Sequence, residues 1–295
     1  MADPVPGWLR LQRDLGGDEV YFDTPLQPRT ATGDRRTEVG DTGSELARPS
    51  SGKAARVMPP SPGSDPGSPA SPFRFRVYPE DELPVWLKGA PPVPGFGLEV
   101  TSPPPGIADP VWESLEAIAE VVRACTRCPL CKGRTHAVPG EGDPAAGLFV
   151  VGEGPGEQED LTGRPFVGRA GELLDKILAS VDVPRPTAHI ANVVKCRPPR
   201  NRAPLPDERA ACLPYLYQQI ALVRPKVLLA LGATAAEALL GVKKPLGELR
   251  LKVHRFNGIP LVVSYHPAAL LRNPNWKRPA WDDVRIARQL LDRID

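Results

Sequence analysis

The sequence predicts an α/β fold in which helices cover both faces of a mainly parallel sheet. From about residue 111 onward, apolar runs that end at glycine or polar residues alternate with segments of helical apolar spacing. A strand, a helix and a further strand in this order favour right-handed crossovers, which place successive strands parallel in one sheet. Parallel sheets are covered on both faces, and the long apolar strands fit that arrangement.

The elements follow from these patterns in chain order. Asp109–Pro110 reads as a helix start, because it pairs an N-cap residue with proline at the first helical position. We predict helices at 111–125, 170–181, 206–224, 233–241 and about 280–294, and strands at 147–154, 188–196, 226–232, 250–256 and 259–266.

Three polar clusters follow strands of this predicted sheet. Ligands of parallel sheets bind at the carboxyl ends of the strands, so the three clusters should lie together. They are GEGPG at 152–156, Asn192 with Lys195 and Cys196, and His266–Pro267.

Residues 1–108 differ in composition from the rest of the chain. Twenty of the 38 prolines fall in residues 1–110, and the stretch 49–72 is nearly all Pro, Ser, Gly and Ala. Such a segment buries too little apolar surface to offset chain entropy. We therefore predict a largely disordered leader at 1–108 before one domain at 109–295. Two segments richer in apolar residues, 7–14 and 73–87, interrupt this composition and are interpreted as linker. The alternative for 7–14 is a short helix, and the alternative for 73–87 is an aromatic segment that docks on another surface.

Charge and targeting signals narrow the class of protein. Residues 1–110 carry a net charge of −4 and residues 111–295 a net charge of +6, which suits a polyanionic partner for the second part. The chain has no apolar run long enough to cross a membrane and no secretory signal. We expect a cytoplasmic, nucleoid-associated bacterial protein without a membrane partner.

Five cysteines in such a chain are better explained as ligands or free thiols than as disulfides. Cys125, Cys128 and Cys131 form a C-x2-C-x2-C motif, and Cys196 and Cys212 follow. Four thiolates would suit zinc or an iron–sulfur cluster and leave one cysteine spare. Unrelated buried thiols are the alternative reading.

Several collinear segments resemble family 4 of the uracil-DNA glycosylase superfamily, the bacterial and archaeal type with a [4Fe–4S] cluster. The segments are CTRCPLCKGRT (125–135), GEGPGEQEDLTGRPFVGRAGELLD (152–175), NVVKCRPPRNRAPLPDE (192–208), CLPYL (212–216) and YHPAALLRNP (265–274). The resemblance implies a three-layer sandwich around a central, mainly parallel four-stranded sheet. It also implies that Cys125, Cys128, Cys196 and Cys212 hold the cluster, which leaves Cys131 free.

The resemblance also implies how uracil would be bound. Phe166 is expected to stack on the base, and Asn192 to read it through an amide that both donates and accepts hydrogen bonds. Gly154 belongs to the loop that lines the pocket. A core phenylalanine and a strand-capping asparagine are the structural alternatives.

Three residues are expected to act in catalysis. Glu153 and Glu159 are the candidates for orienting the attacking water, and Glu159 is the preferred one; exposed carboxylates at a helix start are the alternative. His266 is expected to donate to uracil O2 as negative charge develops on the leaving base.

The expected DNA contacts come from two loops. The first is basic and rich in proline, which suits phosphate binding, and the second offers an apolar wedge beside a cation. The residues are Lys195, Arg197, Arg200 and Arg202 in the first loop, and Leu270, Leu271 and Arg272 in the second. A solvated basic loop and leucines packed in the core are the respective alternatives.

The resulting hypothesis is a monofunctional uracil-DNA glycosylase, because no lysine stands out as a Schiff-base nucleophile. It would act as a monomer on uracil in single- or double-stranded DNA and initiate base excision repair. The alternative is a uracil- or damage-binding protein of the same fold with little turnover. Relatives that attach covalently to DNA use a histidine in the loop after the asparagine strand, and KCRPPRNRAP has none. A metal-stabilised interaction module is a third reading.

Overall fold

The structure is a computed structural model that describes residues 74–75, 78–101 and 112–294. The strands are β1 (Arg74–Phe75), β2 (Phe96–Val100), β3 (Glu141–Gly142), β4 (Leu148–Gly152), β5 (Ala188–Asn192), β6 (Val227–Leu231), β7 (Val253–Phe256), β8 (Ile259–Ser264) and β9 (Arg293–Ile294). The α-helices are α1 (Leu115–Ala124), α2 (Glu157–Thr162), α3 (Arg169–Ala179), α4 (Pro206–Val223), α5 (Ala233–Leu240), α6 (Leu246–Leu249), α7 (Pro267–Arg272) and α8 (Lys277–Leu291).

Among the described residues, seven strands form the central sheet in the order β2-β7-β8-β6-β4-β5-β3. The four strands β8, β6, β4 and β5 run parallel to one another. At the two sides, β7 and β3 pair antiparallel with this group, and β2 continues the sheet parallel to β7. The predicted parallel four-stranded core is therefore confirmed, and three flanking strands extend it.

Helices cover both faces of the sheet. Every residue of β4, β5 and β6 is buried, as expected for central parallel strands. On one face the core contains Ile118 of α1, Leu216 of α4 and Leu239 of α5. On the other face it contains Leu174 of α3 and Val284 of α8. The chain thus forms the three-layer sandwich expected from the resemblance.

Residues 78–101, which fall in the predicted leader, pack against the domain. Trp86 is only 2% exposed, and the guanidinium of Arg288 in α8 lies 4.7 Å from its ring centroid. Gln289 Nε2 donates to Pro91 O at 2.9 Å, and β2 adds a strand to the sheet. Residues 78–101 are therefore part of the folded domain and not of a disordered leader, because Trp86 enters the core and β2 joins the sheet.

The start of α1 differs from the prediction. Ser114 is its N-cap, and the Ser114 hydroxyl accepts a hydrogen bond from Ala117 N at 3.1 Å. The predicted start at Asp109–Pro110, the segment 7–14 and the proline-rich stretch 49–72 lie outside the described residues. Within the described ranges, none of the helices is both long and apolar enough to span a bilayer.

Candidate active site

A cavity of about 700 Å³ opens at the carboxyl ends of the parallel strands. Its walls come from the loops after β4, β5, β6 and β8, so the convergence predicted for the clusters after β4, β5 and β8 is observed. Eight of the predicted site residues line it: Glu153, Gly154, Glu159, Phe166, Asn192, Arg202, His266 and Arg272.

Asn192 and Phe166 meet at the inner end of the cavity. Asn192 ends β5, is 1% exposed, and its Oδ1 has no hydrogen-bond partner within the described part of the chain. Gly152 on β4 makes room for both side chains. A Cβ there would lie 2.3 Å from Asn192 Oδ1 and 2.5 Å from Phe166 Cζ. Because an unpaired buried acceptor is costly, this amide is suited to a ligand that brings a donor.

Phe166 is held in an unusual backbone conformation. Its φ of 50° lies in the left-handed region, which is uncommon for a bulky residue and costs free energy. Arg185 binds the strained segment, donating from Nη1 to Phe166 O at 3.0 Å and from Nη2 to Pro165 O at 2.5 Å. The same guanidinium pairs with Glu141 at 2.7 Å. The ring position of Phe166 is therefore fixed before any ligand binds.

His266 is the N-cap of α7 and faces the cavity. Its Nδ1 accepts a hydrogen bond from Ala268 N at 3.2 Å, so a neutral ring carries its proton on Nε2. Burial lowers the pKa of His266 to about 4, and the positive charge of Arg272 acts in the same direction while Glu159 opposes it. At neutral pH the imidazole is an uncharged hydrogen-bond donor.

The two candidate carboxylates have different surroundings. Glu159 Oε1 accepts hydrogen bonds from Val167 N and Gly168 N at 2.8 and 2.9 Å, and its Oε2 accepts one from Gly156 N at 3.0 Å. This carboxylate ties the start of α2 to the loop that carries Phe166.

Glu153 has a different partner. Its Oε2 accepts from the hydroxyl of Thr234, at the start of α5, at 2.5 Å. The geometry favours Glu153 over the preferred Glu159 for orienting a water, because backbone N–H groups fill three of the four acceptor positions of the Glu159 carboxylate.

All five cysteines line one small void beneath the loop after β5. Four of the sulfurs accept hydrogen bonds from nitrogen or oxygen donors. Cys125 accepts from Tyr215 Oη at 3.2 Å, Cys196 from Arg134 Nη1 at 3.0 Å, and Cys212 from Lys195 N at 3.2 Å. The sulfur of Cys128 accepts a hydrogen bond from the backbone amide of Leu130. Cys131 receives no such donor from the described residues.

The donor set fits an iron–sulfur cluster. Thiolates that bind such clusters accept hydrogen bonds that tune the iron, and four of the five sulfurs have such donors here. In the ranges that the structure describes, no three His, Cys, Asp or Glu side chains form a group that could hold a metal ion. The four sulfurs with hydrogen-bond donors, those of Cys125, Cys128, Cys196 and Cys212, are the ones that fit the cluster.

Comparison with known proteins finds relatives among the uracil-DNA glycosylases. A sequence model of the uracil DNA glycosylase superfamily matches residues 139–285. The chain is 46% identical to a Type-4 uracil-DNA glycosylase of Pyrobaculum aerophilum over 168 residues, 54% of this chain and 86% of that protein. It is 43% identical to the Type-4 enzyme of Thermotoga maritima over 185 residues, 61% of this chain and 96% of that protein. The chain belongs to the Type-4 uracil-DNA glycosylases.

The chain is also similar, at lower identity, to a glycosylase of another type. A Type-5 uracil-DNA glycosylase of Thermus thermophilus is 31% identical over 188 residues, 51% of this chain and 85% of that protein. The family expected from the collinear motifs is thus confirmed.

Two of the predicted DNA contacts need correction. Lys195 is 1% exposed, and its Nζ donates to Asn192 O at 3.0 Å and to Gln219 Oε1 at 2.6 Å. Burial lowers the pKa of Lys195 to about 8. Leu270 is 1% exposed and packs in the core, whereas the next residue, Leu271, is 36% exposed. Neither Lys195 nor Leu270 can touch DNA directly, because both side chains face inward.

The other predicted basic residues lie nearer the surface. Arg202 and Arg272 line the cavity, and Arg202 also pairs with Glu208 at 2.7 Å. Arg197 and Arg200 are outside the cavity lining; Arg197 Nε donates to Asn201 Oδ1 at 2.8 Å, and Arg200 is exposed.

Sequence reasoning missed several residues that support the site. Four of them hold other groups of the site in place, namely Arg134, Arg185, Tyr215 and Thr234. The other two, Tyr265 and Trp276, stack on each other at the cavity wall. A signal was available for Arg134, Tyr215 and Tyr265, because all three lie within the segments that resemble the family. His136, His189 and His254 lie outside the cavity lining.

Proposed function

We propose that this chain hydrolyses the N-glycosidic bond of uracil in DNA, after the base has left the helix and entered the cavity. The observation that carries the proposal is the unpaired, buried Oδ1 of Asn192 beside the ring of Phe166. Uracil brings a donor, N3–H, to an amide oxygen and an acceptor, O4, to the amide nitrogen. Cytosine presents the opposite pattern at these two positions. A base in the cavity would thus both satisfy the amide and be read by it.

Bond cleavage places negative charge on the departing base. His266 Nε2–H is the donor that we assign to uracil O2, since Ala268 N occupies Nδ1. A neutral donor that is already oriented stabilises charge where it appears in the transition state and needs no proton transfer. Phe166 would hold the plane of the base and exclude water from one of its faces.

The attacking water needs a carboxylate. We assign this task to Glu153, whose Oε2 is fixed by the Thr234 hydroxyl. Its negative charge also opposes the positive charge that develops on the sugar as the bond breaks. Glu159 is a positioning residue in this scheme, because it holds the backbone of Gly156, Val167 and Gly168.

The DNA backbone would contact the rim of the cavity. Arg202 and Arg272 are the cations that line it, and Leu271 is the exposed apolar residue beside Arg272. An apolar side chain next to a cation is suited to entering the space that a flipped base leaves. We further propose that the protein is a cytoplasmic monomer that acts on single- and double-stranded DNA.

A [4Fe–4S] cluster would be held by Cys125, Cys128, Cys196 and Cys212. When bound, the cluster supplies covalent cross-links between the segment after α1, the loop after β5 and α4. Lys195 lies between this centre and the uracil site, donating through Nζ to Asn192 O and through N to Cys212 Sγ. The cysteine centre is thereby connected to the residue that reads the base.

The test uses purified full-length protein with its cluster and a labelled oligonucleotide that contains one uracil opposite guanine. We expect a cut strand only after alkali, because hydrolysis leaves an abasic site and none of the described residues that line the cavity is a lysine. A matched duplex with cytosine in place of uracil should stay whole. If the protein binds the uracil duplex but leaves no alkali-sensitive site, it is a binding protein and the proposal is wrong.

A further inference from the structure

A second aromatic pair lies on the rim of the cavity. Tyr265 follows β8 and Trp276 lies in the 3-10 turn Pro274–Trp276, and both residues line the cavity. Their rings are nearly parallel, with centroids 4.7 Å apart and an interplanar angle of 10°. The scheme above uses neither ring.

A buried network around Arg250 holds the Tyr265 ring in place. The guanidinium of Arg250 lies 4.2 Å from the Tyr265 ring centroid. Arg250 is 7% exposed and donates to both carboxylate oxygens of Asp283, at 2.8 and 3.0 Å, and to Pro279 O at 2.8 Å. Ser264 also donates to Asp283 at 2.8 Å. This buried network fixes the plane of Tyr265, and with it the plane of Trp276, so that little entropy is lost when a flat ligand stacks on the pair.

Trp276 keeps an open surface. It is 38% exposed although Tyr265 covers one of its faces. The short helix α7 carries Arg272, which shares the cavity lining with Trp276. A rigid aromatic face beside a cation is the combination with which proteins bind successive bases of single-stranded DNA.

We propose that Trp276 stacks on the nucleobase next to the extruded uracil in the same strand. This inference rests on the proposed function, because it takes uracil in the cavity as its reference point. The aromatic face receives the neighbouring base, while Arg272 contacts the strand's phosphate. Trp276 is thus a specificity and affinity residue for the strand around uracil, and it takes no part in bond cleavage.

The probe is a single-stranded oligonucleotide that places 2-aminopurine directly beside 2′-fluoro-2′-deoxyuridine. The fluorine withdraws electrons from the sugar and so slows cleavage, and 2-aminopurine loses fluorescence when it stacks on an aromatic ring. Two versions carry the fluorescent base on the 5′ or the 3′ side of the uridine. Each is titrated with the full-length wild type, Trp276→Ala, Trp276→Phe and Trp276→Leu.

Phe96→Ala is the matched control, since Phe96 is an aromatic residue that is 42% exposed and does not line the cavity. We expect quenching by the wild type on at least one side. Trp276→Ala should weaken binding about 5- to 150-fold, which corresponds to the loss of one base–aromatic stack. Trp276→Phe should lose less, and Phe96→Ala should bind like the wild type.

The proposal is overturned if Trp276→Ala binds and quenches like the wild type on both sides, since the pair is then only internal packing. Trp276→Leu decides the question if the alanine variant does not fold, because leucine keeps apolar contact with Tyr265 and removes the aromatic face. Failure of the proposed function is visible separately in the alkali assay on ordinary deoxyuridine, where the wild type would then leave the strand whole.

Discussion

The ring of Phe166 is stacked on the imidazole of His266, with centroids 5.5 Å apart and an interplanar angle of 29°. Phe166 comes from the loop between α2 and α3, and His266 follows β8 about a hundred residues later. The contact removes one face of the imidazole from water. Loss of hydration disfavours the charged ring, which explains why the pKa of His266 is low.

The low pKa predicts how stability depends on pH. Below pH 6.5 the unfolded chain protonates His266, whereas the folded chain resists protonation until about pH 4. His266 therefore lowers the free energy of unfolding progressively as pH falls through this window. The ring is partly exposed at the cavity wall, so we expect its share between pH 7.5 and pH 5 to be about 1–2 kcal/mol.

Urea unfolding of the wild type and of His266→Gln at the two pH values measures this share. The wild type should lose more stability on acidification than the glutamine variant, which has no ionisable group there. Because both proteins keep His189 and His254, the difference isolates His266. Equal losses in the two proteins would mean that His266 is already charged in the folded state.

Glu153→Gln and Glu159→Gln should both lower activity but differ in their effect on stability. Glu159→Gln places an amide NH2 against backbone donors, so we expect a loss of about 1–3 kcal/mol of stability together with lower activity. Glu153→Gln loses the negative charge but can still accept from Thr234, so its melting temperature should change little while its single-turnover excision rate falls. Thermal unfolding and excision kinetics on the same preparations check both. A stable, inactive Glu159→Gln would return the water-orienting role to Glu159.

The adjacent leucines of α7 offer a matched pair. Leu270→Ala opens a cavity in the core and should cost about 2–5 kcal/mol of stability. Leu271→Ala should leave stability nearly unchanged but reduce excision from duplex DNA more than excision from single strands, since only a duplex must be held open. Melting temperatures and excision rates on the two substrates test this. An equal effect of Leu271→Ala on both substrates would argue against a wedge.

The cysteines give a prediction about iron. Cys128→Ser should lose most of the iron and acid-labile sulfide, which we expect at about four atoms each per chain in the wild type. Cys131→Ser should keep both, because no donor in the described part of the chain points to the sulfur of Cys131. Iron and sulfide analysis with the visible absorption spectrum measures this. Loss of iron in Cys131→Ser and retention in Cys128→Ser would exchange their roles.

Much of the fold was predictable because its signals are local. Apolar runs such as 148–152 end at glycine or polar residues, and their burial on both faces leaves little choice but a central parallel strand. The segment 78–101 was not predictable in this way. Its proline content indicates disorder, and only tertiary contacts, such as that between Trp86 and Arg288, show that it packs against the domain.

The site shows the same division. Asn192, Phe166 and His266 were identifiable because each belongs to a specific motif. Their relation to one another was not, since it depends on Gly152 leaving space and on Arg185 holding a strained backbone. Lys195 was misassigned because a lysine among arginines in a loop indicates a surface, whereas Gln219 on α4 provides it with a buried acceptor.

The function proposed for this chain depends on Asn192, whose unpaired Oδ1 would read uracil together with Nδ2. The most direct test measures free uracil released from a single-uracil oligonucleotide under single-turnover conditions, for the wild type and for Asn192→Ala. With two hydrogen bonds to the base removed, we predict a fall of about 100-fold or more in rate, with the iron content and melting temperature retained. A rate for Asn192→Ala that matches the wild type would contradict the account.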